Sequence, residues 1–70
     1  EISQLIQVCH NLADIQTKEK EEKSLMKASN EFNCDNLLMI NDNYEGEAKL
    51  RWFGSTRTVR YIPLWKWLLK

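Results

Sequence analysis

The sequence predicts an α/β domain in the order strand, helix, strand, strand, strand, helix, with a parallel crossover followed by a hairpin. Three observations predict it. Two apolar runs, Leu5 to Cys9 and Leu37 to Ile40, flank a charged segment of helix-forming residues, "KEKEEKSLMKAS". About 20 to 30 residues lie between the runs, enough for a right-handed crossover that makes the two strands parallel. Beyond them, Ala48, Leu50 and Trp52 alternate with polar residues and meet a glycine, the pattern of a hairpin.

Taken in order, Ile2 to Cys9 reads as a strand with Ile6 and Val8 on one face and Leu5, Gln7 and Cys9 on the other. Both faces carry apolar groups, so the strand is expected inside the sheet. Asn11 to Gln16 is a polar connection, and Thr17 is expected to cap a helix from Lys18 to about Asn30. The first turns lack an apolar stripe and rely on pairs such as Glu19 with Lys23, so that half lies in water. Leu25, Met26, Ala28 and Phe32 supply the buried face of the second half. "LLMI", Leu37 to Ile40, is continuous enough to be covered on both faces. "NDNYEGE" is a turning loop, 48–53 a third strand, Gly54 to Thr56 a turn, and Arg57 to Ile62 a fourth strand. Pro63 suits the first position of a short helix, "PLWKWLL", because its missing amide hydrogen is not needed there.

Seventy residues make one small domain, and a chain of that size buries only about 60% of its unfolded surface, so its stability is marginal. It opens on Glu1 and Ile2 without an initiator Met, and the expectation is a C-terminal domain, 1–70, taken from a longer protein. No stretch approaches the roughly 20 apolar residues of a membrane span, and no signal peptide is apparent, so a cytoplasmic location is expected. Cys9 and Cys34 are expected as free thiols, since a small secreted scaffold carries more cysteines at denser spacing.

The net charge of zero hides an asymmetry: residues 1–48 hold ten acidic and four basic side chains, and residues 49–70 hold six basic and no acidic ones. Basic residues among aromatics, Lys49, Arg51, Arg57 and Arg60 above all, are what a nucleic-acid surface shows. Neutralisation of one half by the other within the fold explains the same pattern. Cys9, His10, Cys34 and Asp35 are zinc-ligand types, but no ligand-spaced pair supports a metal set. Cys9 and His10, as strand neighbours, point apart and cannot act as nucleophile and base. Gly46 and Gly54 start no helix, so there is no phosphate-binding loop, and the chain needs no cofactor of its own. The apolar tail, with Trp65 and Trp67, must dock on the sheet or on a partner.

Four segments, "LIQVCHNL", a charged helix carrying "LMKAS", "CDNLLMIN" and the closing "IPLWKWLL", together resemble the C-terminal domain of prokaryotic AAA-type P-loop ATPases, often called archaeal-type ATPases. The resemblance covers nearly the whole chain. It implies part of a restriction-endonuclease-like fold of unassigned function, with ATP and magnesium handled elsewhere in the parent protein. It implies, as partners, the remainder of the ATPase chain, a second copy, or nucleic acid, and no membrane. The nuclease pattern of that fold puts a carboxylate or Gln two residues before a Lys, so that both face one metal-bound water. Gln7, Val8 and Cys9 fall on that pattern with Cys9 in place of the Lys, which makes "QVC" a degenerate catalytic strand. The expected function is therefore a non-catalytic accessory domain, and the alternative is a nucleic-acid-binding or nuclease-like module using the basic hairpin.

Overall fold

A computed structural model describes residues 2–69. Glu1 and Lys70, counted in the charge halves above, lie outside the described residues. The element order is β1 (Leu5–Val8), α1 (Ile15–Phe32), β2 (Leu37–Asn41), β3 (Gly46–Trp52), β4 (Ser55–Pro63) and α2 (Leu64–Leu68). The predicted order holds, as do the parallel crossover and the hairpin. β1 pairs parallel with β2, from Leu5 opposite Leu37 to Val8 opposite Ile40. β2 pairs parallel with β4, and β3 and β4 pair antiparallel.

The strand order is β1-β2-β4-β3. β1 is therefore an edge strand and not the interior one expected, and Ile6 and Val8 are 44% and 45% exposed on the face away from α1. β4 sits between β2 and β3, so residues 42–45 must pass the end of β4. Asn41 holds that passage. Its side-chain oxygen accepts from the amides of Asn43 and Tyr44, at 3.0 and 2.6 Å, and its amide nitrogen donates to the carbonyls of Tyr44 and Ile62.

Helix α1 begins three residues earlier than the sequence suggested. Asp14, in an extended conformation, accepts from the amides of Gln16 and Thr17, so it is the cap and Thr17 lies within the first turn. Carboxylate oxygens satisfy orphan helix amides well. The helix ends at Asn33, whose φ of 50° and ψ of 47° are left-handed, a conformation that Asn adopts more easily than most residues. Leu25, Met26 and Ser29 form the buried stripe, while Ala28 is half-buried and Phe32 is exposed. The pair expected in the first turns, Glu19 with Lys23, is not among the described ion pairs; Lys18 with Glu22 forms instead, at 4.0 Å.

The core lies between α1 and the sheet: Cys9, Leu25, Met26, Leu37, Met39, Val59 and Tyr61, with Leu5, Leu12, Leu50 and Trp52 around it. All five residues of β2 are buried, as a strand covered on both faces requires. Phe53 and Gly54 form a two-residue turn with φ of 47° and 83°, the positive values of a type I′ hairpin. It lies one residue ahead of the turn expected at Gly54 to Thr56. α2 packs back on β4 and β2.

Candidate functional site

Strand alternation places Leu5, Gln7 and Cys9 on the α1 face together with their partners Leu37, Met39, Val59 and Tyr61. Gln7 and Cys9 thus share a face, as the "QVC" pattern requires, but that face is closed. Gln7 donates from its side-chain amide to Glu21 on α1 at 3.0 Å, and Cys9 is 1% exposed. Beside them the Tyr61 hydroxyl donates to Glu22, whose carboxylate also pairs with Lys18. Burial first, and then this carboxylate, raise the Tyr61 phenol well above its ordinary range. Tyr61 therefore stays a neutral donor. Two carboxylates of α1 are clamped by two sheet side chains, an arrangement that fastens the helix across the strands. No lysine from the sheet reaches this cluster among the described hydrogen bonds and ion pairs.

The zinc-type residues are spread apart. Cys9 follows β1 and lies level with Asn41, while Cys34 precedes β2, so the two sit at opposite ends of the sheet, about 13 Å or more apart along the strands. Both thiols are free and buried. His10 is exposed and 3.9 Å from Asp42.

The four basic hairpin residues do not form one stripe. The β3–β4 register sets Lys49 opposite Thr58, Arg51 opposite Thr56 and Arg60 opposite Glu47, all on the face away from α1. Arg57 lies opposite Leu50 on the other face, where its Nε donates to the Ser29 hydroxyl at 2.9 Å. Ser29 in turn donates to the Cys34 carbonyl at 2.5 Å, so Arg57 closes a buried polar chain at the end of α1. Glu47 beside Arg60 further weakens any anion stripe there.

The tail docks on its own domain without burying any α2 side chain. Trp67 is half-buried, Trp65 is 59% exposed, and Lys66 pairs with Glu45 at 2.5 Å. Outside the α1 layer, Ile6 and Val8 of β1 and Leu64, Trp65, Leu68 and Leu69 of the tail are exposed apolar groups.

One surface escaped the sequence reading. A groove of about 530 Å³ between α1 and the sheet edge is lined by Glu19, Lys20, Lys23, Ser24, Lys27 and Trp52. Its signal was the spacing of the three lysines, which places them on one helix face; what the sequence hid was that Trp52 lies beside them.

With that geometry in hand, the comparisons with known proteins add one relative. The chain is similar to uncharacterized protein MJ1544 of Methanocaldococcus jannaschii, at 37% identity over 71 residues. The alignment takes in 99% of this chain but 16% of that protein, so the chain spans about a sixth of the curated relative it matches. No family model matches, and no solved structure matches.

Proposed function

We propose that the chain is a non-catalytic interaction domain of a longer prokaryotic P-loop ATPase of the AAA type, and that it docks on the remainder of its own polypeptide. The observation that carries this reading is the apolar surface left outside the α1 layer. Ile6, Val8, Leu64, Trp65, Leu68 and Leu69 are all more than a third exposed in a chain of 70 residues, and clustered exposed apolar side chains mark contact surfaces. The unpaired outer edge of β1 lies beside Ile6 and Val8 and offers main-chain hydrogen bonds to the same contact. The resemblance of the four sequence segments supports an ATPase as the parent, and the much longer relative supports a multidomain one. ATP and magnesium belong, on this reading, to another part of the parent protein. Among the described residues no helix is long and apolar enough to cross a membrane.

The test is thiol accessibility. Val8→Cys and Leu68→Cys, placed singly in the full-length protein and in the 70-residue chain, are expected to react with a maleimide at least tenfold more slowly in the longer protein. Equal rates in the two contexts would remove this reading.

A further inference from the structure

The groove beside α1 lies on another part of the molecule from the apolar docking surface and calls for a ligand of different chemistry. Lys20, Lys23 and Lys27 project from one face of α1 over about 10 Å of helix. Among the described residues no carboxylate lies within salt-bridge distance of any of them. Glu19 is the one acidic residue lining the groove, which leaves an excess of positive charge. A neighbouring hollow of about 180 Å³ shares Lys23 and Trp52 but is also lined by Glu19, Glu22 and Arg51, so its charges balance and the positive excess is confined to the larger groove.

The hairpin tip supplies a second, independent observation. Phe53 is 86% exposed, and its ring meets Trp52 edge-on with centroids 4.5 Å apart. Its φ of 47° is a left-handed value that a bulky side chain adopts at a cost. The following Gly54 has φ 83°, so Asn at position 53 would give the turn its preferred dipeptide. Apart from the edge-on contact with Trp52, folding gains little from an aromatic ring held in water at a strained position. Trp52 lines the groove beside the three lysines and Phe53 adjoins Trp52, so aromatic rings and ammonium groups come together as stacking on a base and neutralising a phosphate require.

We propose that the groove between α1 and the β3–β4 hairpin binds single-stranded nucleic acid, with Lys20, Lys23 and Lys27 holding phosphates and Phe53 and Trp52 stacking on bases. A strand with unpaired bases fits better than an acidic peptide, because a peptide makes no use of the exposed ring. It also fits better than a duplex, whose bases stack on one another and leave Phe53 without a partner.

The test is a fluorescence anisotropy titration of the 70-residue chain with labelled oligothymidine and oligouridine of about a dozen nucleotides, a length within single-strand site sizes. Binding to at least one of them at low ionic strength is expected, and the tighter one identifies DNA or RNA as the source. Phe53→Asn is expected to weaken binding about tenfold while raising the melting temperature, two effects of opposite sign that a purely structural role for Phe53 would not produce. The triple variant Lys20→Gln, Lys23→Gln, Lys27→Gln, whose fold is checked by far-ultraviolet circular dichroism, should lower the slope of log affinity against log salt by roughly 2. The proposal is overturned if neither oligonucleotide binds, if Phe53→Asn binds as the parent does, if a blunt duplex binds as tightly as the single strand, or if polyglutamate displaces the probe as well as unlabelled oligonucleotide.

Discussion

Beneath α1 the sheet is closed by Leu25, Met26 and a pair of carboxylate clamps, whereas away from α1 the same four strands leave Ile6 and Val8 in contact with water. In β1 both faces are written with apolar residues in alternation. The closed face meets an 18-residue helix, and the other meets a helix of five. Alternation therefore says that a strand has two faces, but the length of the covering element decides how much of each face is removed from water. In a domain this small the difference separates the part that holds the fold from the part free to contact something else.

The comparison breaks most visibly at Met39 and Val8. Met39 is fully buried under α1, and Met39→Ala is expected to cost about 2 to 5 kcal/mol, a large share of the stability of a small domain. Val8→Ala, on the half-open face, is expected to cost less than about 1 kcal/mol. Urea midpoints measure both, and equal losses would show the two faces to be equally packed.

A smaller effect sharpens the account of the clamps. The raised phenol of Tyr61 means that the folded state keeps its proton when the unfolded state has begun to lose it. Stability from this group is full below the unfolded value of about 10 and falls as pH rises above it, by up to about 1.4 kcal/mol per pH unit. Tyr61→Phe should flatten that alkaline slope, as followed by thermal melts between neutral and alkaline pH. An unchanged slope would show that Tyr61 is not held as described.

On the side of α2 the expected losses shrink again. Trp65 and Trp67 stand two apart on a helix, about 200° around it, so both cannot face the sheet, and α2 buries no residue completely. Trp67→Ala should therefore cost about 1 to 2 kcal/mol and Trp65→Ala less than about 1 in chemical denaturation. A larger loss at Trp65 than at Trp67 would reverse the assignment. The smallest effect is at the hairpin tip, where Gly54→Ala should cost about 1 kcal/mol because φ is positive and a Cβ meets no neighbour there, so backbone conformation is the sole penalty.

Much of the fold was legible. The parallel crossover followed from two apolar runs and the charged segment between them, the hairpin from alternation around Gly54, and the burial of β2 from four consecutive apolar residues. Less of the candidate site was. Gln7 and Cys9 were correctly placed on one face of one strand, yet nothing local showed that Glu21 and Tyr61 would meet that face, 14 and 54 positions along from Gln7. The start of α1 was misread because Asp14 and Thr17 are both acceptable caps, and the choice between them depends on the backbone entering the helix.

By itself, then, the sequence determined the elements, their order and the parity of each strand, because these rest on short-range periodicity and on which side chains fit a helix, a strand or a turn. Tertiary structure decided which strands are neighbours. It put β4 between β2 and β3, left β1 at the edge, set the inward-facing Arg57 against Ser29 of α1, and brought Trp52 beside the lysines of α1. The physical reason is that strand order is set by how loops such as 42–45 close and by what each pairing buries, quantities that depend on residues far apart in the chain.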